Sequence, residues 1–315
     1  MSESDAFLVG YPAAGVVESE ALVALVDRAA ILSTEQQLHL SALHADDSWS
    51  IDAATQVFTF TAADDSVLTV RAHLLGSAAP GPMSWLWAWV NSNGFPEAFF
   101  ARSVDVRARG TADSVPELTT DELPLTEGLP LRLTIAAKAI TGLTAHYSPP
   151  VGGGTRIWLL LEDDRLALPA PTVLRTMEAL RATLDTVLLT DPMAALEAYA
   201  EQRGIPLSAA KTENDDPVDA QARRLELPDG HVVVVFDGQR RIVRLQAEVE
   251  ASSDGEAPAA GEGGVQDRAV EEPQPSPEVR VAPTPEPGPS PVPLPSDAAG
   301  TEKKGLLGRL FGRRS

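Results

Sequence analysis

Cysteine is absent from this chain of 315 residues. Its absence excludes disulfide bonds, thiolate metal sites and cysteine nucleophiles. Long hydrophobic runs are absent too, because no stretch reaches the roughly 18 apolar residues that a membrane-spanning helix needs. The first ten residues include Glu3 and Asp5 but no basic side chain, whereas a secretory signal begins with a basic region. The sequence therefore predicts a cytoplasmic protein.

Positive charge is scarce in most of the chain. Lysine occurs four times and arginine twenty-one times, and the net charge is −20. Because phosphate contact requires clustered lysine and arginine, we expect this acidic protein not to bind nucleic acid. The five histidines lack a metal-binding spacing, and neither a G-x-S-x-G nucleophile motif nor a phosphate-binding G-K-[ST] motif is present. We predict no catalytic residue, no metal site and no cofactor.

The first 210 residues show the mixed periodicity of an α+β domain. Apolar residues at helical spacing predict a long helix over residues 19–45. Within it, Ser33 with Gln36, or Thr34 with Gln37, resembles a capping box at which a second helix would start. Alternating and continuous apolar runs predict an antiparallel sheet with flanking helices. The predicted strands cover residues 49–61, 66–75, 84–90 and 156–162, and the further helices cover residues 96–108, 131–143, 171–189 and 192–203.

Two Asp-Gly pairs, at residues 229–230 and 237–238, are the strongest turn signals in the chain. Strand-forming residues flank each pair, a pattern typical of β-hairpins. We therefore predict a C-terminal three-stranded β meander over residues 211–250. Three strands alone are marginally stable, so we expect this unit either to dock on the main sheet or to dimerise.

The composition changes after residue 250. Residues 251–300 contain eleven prolines, which exclude helix and sheet, and they are acidic with few large apolar side chains. We predict a disordered acidic linker here, stiffened by its proline tract. Residues 301–315 reverse the charge: five basic residues and one acid give them a net charge of +4, which leaves the remainder of the chain at −24.

Residues 301–315, here called the C-terminal basic segment, also carry four large apolar side chains. On a helix these four would share one arc, opposite three glycines that keep the free segment unfolded. We expect the segment to fold on contact with an anionic membrane surface, a groove on a protein partner, or the acidic body itself. The residues predicted to make this contact are Lys303, Lys304, Leu306, Leu307, Arg309, Leu310, Phe311, Arg313 and Arg314.

The run Trp-Leu-Trp-Ala-Trp-Val-Asn at residues 85–91 is the most unusual part of the body. Alternation along a strand would point its three tryptophans to one face. One interpretation is a ligand pocket, formed by Trp85, Trp87, Trp89 and Asn91, in which a planar ligand or a sugar stacks. The other is a packed core whose indole N–H groups find hydrogen-bond partners.

Several motifs of the body occur together in a recognisable order. They are Trp-Ser-Ile-Asp at 49–52, Phe-Thr-Phe at 58–60, Leu75-Gly76, the tryptophan strand at 85–91, Gly110, Glu-Leu-Thr at 117–119 and Tyr147. With them the chain resembles a family of uncharacterised proteins, mainly actinobacterial, that is defined only as a domain of unknown function. The resemblance covers roughly residues 20–165, and it implies fold boundaries without implying an activity.

These features predict a non-enzymatic cytoplasmic binding or adaptor protein. Its C-terminal basic segment would tether it to the inner face of the membrane or to a protein partner. The alternative is a small-molecule-binding domain, or a cryptic enzyme, that uses a tryptophan-lined pocket.

Overall fold

The computed structural model describes residues 18–213 and 215–250, which form an α+β structure with two antiparallel sheets. The predicted fold class is thus confirmed. The predicted disordered linker and the C-terminal basic segment lie outside the described residues. The helices are α1 (Glu20–His44), α2 (Glu97–Ala112), α3 (Leu129–Thr141), α4 (Val173–Thr186) and α5 (Pro192–Arg203).

The strands divide into a larger sheet A and a C-terminal sheet B. Sheet A contains β1 (Ser48–Asp52), β2 (Val57–Thr61), β3 (Val67–Ala79), β4 (Ser84–Trp87), β5 (Glu122–Pro124), β6 (Ala145–Tyr147), β7 (Pro150–Gly152) and β8 (Thr155–Glu162). Sheet B contains β9 (Leu207–Ala210), β10 (Gln221–Leu227), β11 (Gly230–Phe236) and β12 (Ile242–Val249), in the order β12-β11-β10-β9. The predicted three-stranded meander is present as β10 to β12, and β9 adds a fourth strand.

The long strand β3 organises sheet A. Its residue Arg71 lies opposite both Val57 of β2 and Glu162 of β8. Further along, Gly76 lies opposite both Trp87 of β4 and Trp158 of β8. Because paired neighbours occupy opposite edges of a strand, β2 and β4 follow each other along one edge of β3 and β8 fills the other. Every segment of sheet A is therefore anchored, directly or through one neighbour, on β3.

Sheet A curls until its two ends meet. The ring centroids of Trp49 on β1 and Tyr147 on β6 are 6.1 Å apart, although β2, β3 and β8 separate these strands in the sheet order. Phe58 and Phe60 of β2 are fully buried inside the curl, and their ring centroids lie 5.1 and 5.6 Å from that of Tyr147. Aromatic side chains thus fill the space that the curled sheet encloses.

Helix α1 is buried on two sides. Its N-terminal half, including Leu22 and Val26, shares a hydrophobic cluster with α3 and the tryptophans of sheet A. Its Ile31 belongs to a second cluster, which contains α4, α5 and the inner face of sheet B. The Ser19 hydroxyl caps the helix by accepting a hydrogen bond from the Leu22 N–H. The predicted second helix start at Ser33 is wrong, because Ser33 is buried in a continuous helix and packing outweighs its local capping preference.

Two buried carboxylates of α1 are paired with α5. Asp27 accepts hydrogen bonds from the backbone N–H groups of Thr190 and Asp191 at 3.0 and 2.9 Å. Glu35 accepts a hydrogen bond of 3.0 Å from the hydroxyl of Tyr199 and pairs with the guanidinium of Arg203. Burial raises the pKa of Glu35, and Arg203 opposes this shift. A buried carboxylate without partners is costly, so these contacts determine where α5 lies against α1.

Sheet B packs on helices. The inner-face residues Leu225, Val232 and Val234 are fully buried in the cluster that holds α4, α5 and Ile31. The prediction that this unit docks on the main sheet is therefore wrong. Sheet B buries the apolar faces of α4 and α5.

Some predicted boundaries also differ from the structure. The single strand predicted over residues 49–61 is the hairpin of β1 and β2, and Gln56 turns it with a φ of 61°. Strand β4 ends at Trp87, where a 3-10 turn at Ala88–Val90 replaces the predicted strand. The other helices and β8 lie within a few residues of their predicted bounds.

Gly76 provides a test of the packing around the tryptophan strand. A Cβ atom at Gly76 would lie 2.5 Å from the ring of Trp85 and 2.8 Å from the carbonyl oxygen of Leu86. We expect Gly76→Ala to lower the free energy of unfolding by about 1–3 kcal/mol, since the fully buried indole has no room to move.

Gly81→Ala is the matched control, because no atom lies within 4 Å of a Cβ there. Urea denaturation of the two variants and the parent chain measures the effect. Equal stability of Gly76→Ala and Gly81→Ala would contradict the described packing.

Candidate functional site

The structure separates the three tryptophans of the predicted ligand pocket. Trp85 and Trp87 point to one face of β4 and are 0% and 1% exposed, whereas Trp89 lies in the 3-10 turn after the strand and is half-buried. The rings still touch: Trp85 and Trp87 meet edge to face at 5.4 Å, and Trp87 and Trp89 stack at 4.5 Å. Two of the three rings are thus part of the core.

The partly exposed Trp89 has both ring faces covered. Trp87 stacks on one face, so the guanidinium of Arg107, 5.3 Å from the ring centroid, lies over the other. The indole N–H of Trp89 donates a hydrogen bond of 2.8 Å to Asp121, which also pairs with Arg107 at 3.3 Å. A cation over an indole is a favourable contact. Trp89 therefore offers no open face on which a planar ligand could stack in this conformation.

The indole N–H groups of the four clustered tryptophans, Trp85, Trp87, Trp89 and Trp158, divide into two pairs. Those of Trp87 and Trp89 donate to the carbonyl oxygen of Glu117 and to Asp121. Those of Trp85 and Trp158 are enclosed and find no acceptor among residues 18–213 and 215–250. The packed-core interpretation requires hydrogen-bond partners for the indole N–H groups. Trp87 and Trp89 meet this requirement, and Trp85 and Trp158 do not.

Asn91 closes the loop that follows the tryptophans. It adopts a left-handed conformation with a φ of 46°. Its side-chain oxygen accepts a hydrogen bond from the Phe95 N–H at 2.7 Å, and its amide donates to the Phe95 carbonyl at 3.0 Å. These two hydrogen bonds hold the loop between Asn91 and Phe95 in its observed conformation.

A cavity of about 30 Å³ lies between this loop and sheet A. Trp87, Asn91, Phe95 and Leu74 are among the side chains around it, which are mainly apolar. A volume of this size admits water molecules, whereas small-molecule sites usually measure about 300–1,000 Å³. The predicted pocket residues Trp87 and Asn91 thus meet at a cavity, and Trp85 and Trp89 do not line it.

The most perturbed ionisable groups lie elsewhere, around Lys138 of α3. Lys138 is 4% exposed, and its ammonium donates one hydrogen bond of 3.1 Å to the carbonyl oxygen of Ser33 on α1. Burial lowers the pKa of Lys138 to about 7. Burial and the charge of Lys138 lower the pKa of His146 well below its ordinary value. The His146 ring stacks on Trp158 at 5.7 Å, which connects this pair to the tryptophan cluster.

A second buried histidine, His73 on β3, faces α2. Its Nε2 lies 2.8 Å from a carboxylate oxygen of Glu162, and Arg102 of α2 donates to the other oxygen at 3.2 Å. Burial lowers the pKa of His73, and the hydrogen bond from His73 lowers that of Glu162. The other ring nitrogen is enclosed without a partner among the described side chains. The carboxylate therefore links β3, β8 and α2.

The three groups Lys138, His146 and His73 lie in the interior of the fold. A general base must reach the proton that it removes, but the Nδ1 atoms of both His73 and His146 are enclosed. A lysine with a pKa near 7 is chemically able to act as a nucleophile, yet Lys138 does not line the cavity. Within residues 18–213 and 215–250, no group of three or more histidine, aspartate or glutamate side chains is arranged to hold a metal ion.

The sequence reasoning missed Lys138 and the Arg107–Asp121 pair. Lys138 carried a usable signal, since it is a lone lysine within the apolar run Ile-Ala-Ala-Lys-Ala-Ile at residues 135–140. The Arg107–Asp121 pair had none, because its partners belong to different elements. The predicted contact residues of the C-terminal basic segment lie outside the part of the chain that the structure describes.

The structure is an α+β protein that contains a set of buried ionisable groups. Residues 23–164 match the model of a family of unknown function (DUF6882). The resemblance to a domain of unknown function over roughly residues 20–165 is thus confirmed. No curated protein and no solved structure matches the chain. None of the helices within residues 18–213 and 215–250 is long and apolar enough to cross a membrane.

The buried lysine predicts a pH-dependent stability. The folded protein releases the Lys138 proton near pH 7, whereas the unfolded chain holds it up to about pH 10.5. The unfolded state binds more protons between these values, so stability rises with pH across that window. Lys138→Met should raise the free energy of unfolding at neutral pH by about 1–4 kcal/mol and should flatten this slope.

Lys211→Met is the matched control, because it removes an exposed lysine. Urea denaturation at neutral and at mildly alkaline pH gives the required free energies. If the Lys138→Met and Lys211→Met variants keep the same slope, the buried ammonium is not the titrating group.

Proposed function

We propose that this protein is a non-enzymatic binding or adaptor protein that attaches to an anionic membrane surface through its C-terminal basic segment. The observation that carries the proposal is the separation of charge: residues 301–315 are at +4 and the remainder of the chain is at −24. The attachment side would be the cytoplasmic face of the membrane, where anionic lipids attract basic segments.

The arrangement of the domain supports a non-enzymatic role. The groups most suited to acid–base chemistry, Lys138, His73 and His146, are all buried. His73 is held by Glu162, and Lys138 is held by Ser33. Each of these two contacts joins different elements of the fold. A structural role therefore explains why His73 and Lys138 are present, and no substrate has to be invoked.

The energies of the basic segment favour reversible attachment. Full burial of its four large apolar side chains gives at most about 6–12 kcal/mol, before the cost of ordering the segment. Each basic residue near anionic lipid adds about 1 kcal/mol. Charge repulsion from the acidic body is screened beyond about 8 Å, and fifty residues of sequence, 251–300, precede the segment.

The alternative function, a small-molecule-binding domain or a cryptic enzyme, draws on the cavity beside Trp87 and Asn91. That cavity would have to enlarge about tenfold to hold an ordinary small-molecule ligand. Such an opening would separate Asn91 from Phe95, because their two hydrogen bonds close the loop over the cavity.

Co-sedimentation with vesicles tests the membrane attachment. The full chain should sediment with mixed phosphatidylcholine and phosphatidylglycerol vesicles, and much less with pure phosphatidylcholine. A chain truncated after Gly300 should remain in the supernatant. The double variant Leu306→Ala/Leu310→Ala keeps every charge and should lower the partition coefficient at least about tenfold, since two apolar anchors are lost.

The matched control is Leu174→Ala/Leu184→Ala, which removes two exposed leucines of α4. This variant should bind vesicles as the parent chain does. Equal partitioning of the full and truncated chains would refute the attachment through residues 301–315.

A further inference from the structure

Strand β12 forms one edge of sheet B. It has a strand neighbour on one side, β11, and ends the sheet order of the described residues. Three of its apolar residues are open to solvent: Val243 is 47% exposed, Val249 is 64% exposed, and Ala247 is exposed as well. An edge strand of this length presents unpaired backbone groups to which another strand can add. This edge is therefore a candidate interaction surface.

The two faces of β12 differ in chemistry. Leu245 and Ala247 lie opposite the fully buried Val234 and Val232, so they share the inner face that packs on the helices. The outer face is polar and carries Arg244, Gln246 and Glu248. A β-bulge at Val243 brings Ile242 opposite the buried Phe236, so the inner face of β12 begins with Ile242 and Leu245, which pack on the core. Ala247 and Val249 follow on the same face and are exposed.

A second copy of β12 can be placed on this edge in an antiparallel register whose centre is Gln246. A two-fold axis through Gln246, perpendicular to the sheet, keeps the inner faces of both copies on the same side. It places Leu245 opposite Ala247, which brings apolar side chains of the two inner faces together across the axis. It also places Arg244 opposite Glu248, whereas axes through Arg244 or Glu248 would set like charges against each other.

We propose that two copies of this chain associate by antiparallel pairing of their β12 strands, which joins the two B sheets into one continuous sheet. The pairing gives hydrogen-bond partners to the backbone groups of both edges and covers the exposed Ala247. An isologous two-fold contact is the commonest form of homodimer. The inference goes beyond the proposed function, since it requires nothing of the C-terminal basic segment.

The apolar contacts of the inner faces and the backbone hydrogen bonds carry most of this association. Arg244 is already paired with Glu213 and Asp216 on the outer face, so its contribution across the axis is reduced. One strand pair is a small interface, and small interfaces usually bind weakly. We therefore expect a dimer that dissociates on dilution.

Single cysteines test the register directly, because the chain contains no cysteine of its own. Residues on the two-fold axis face their own counterparts, so Gln246→Cys should form an intermolecular disulfide under mild oxidation. Leu245→Cys and Ala247→Cys should not, because their own counterparts lie about 8 Å away between Cα atoms, beyond the reach of a disulfide.

Val218→Cys measures crosslinking by random collision, because Val218 is fully exposed in the loop before β10. Gln246→Cys should crosslink at least about tenfold faster than Val218→Cys, which would support the proposed axis. Equal rates for all four variants would overturn it.

Sedimentation equilibrium of the full chain tests the association without any crosslink. The average mass should rise from one chain toward two as the concentration increases. Val249→Lys places a lysine beside Ala247 on the inner face of each copy and should raise the dissociation constant at least about tenfold. Val218→Lys, a substitution of the same chemistry away from β12, should leave it unchanged. A mass of one chain at every concentration, or a dimer that tolerates Val249→Lys, would refute the pairing.

Discussion

The structure depends on the burial of α1 from two opposite sides. One side packs against α3 and the tryptophans of sheet A, and the other against α4, α5 and sheet B. Two of the central polar residues of α1, Asp27 and Glu35, are buried, whereas Arg28 remains exposed. Asp27 and Glu35 are therefore satisfied by groups of α5 and of the segment before it, more than 160 positions away. The carbonyl of Ser33 meets Lys138 of α3, so both halves of the fold are fixed to one helix.

Local signals predicted much of the fold. Ser19 marks the start of α1, and Asp191 and Gly204 mark the ends of α5, because capping chemistry acts within a few residues. The hairpin of β1 and β2 escaped prediction because Gln56, rather than glycine, takes the left-handed turn. The place of sheet B also escaped it, since an apolar strand face does not reveal which apolar surface will cover it.

The candidate site was less predictable than the fold, for a physical reason. The spacing of the tryptophans correctly indicated that Trp85 and Trp87 share a face, but the strand ends before Trp89. Trp89 is contacted by Arg107 of α2 and by Asp121, which precedes β5, and these residues become its neighbours only when the chain folds. The lowered pKa of Lys138 is likewise a property of the completed interior, since burial alone causes it.

The two-sided burial of α1 has a consequence for how the matched family relates to folding. The family model ends at residue 164, before α4 and α5 begin. A fragment cut there would expose the Ile31 side of α1 and leave the carboxylates of Asp27 and Glu35 without their partners. The matched stretch therefore shares its core with helices that lie beyond its end. The boundary of the family match and the boundary of the hydrophobic core therefore differ, because α4 and α5 pack on α1 although they lie beyond residue 164.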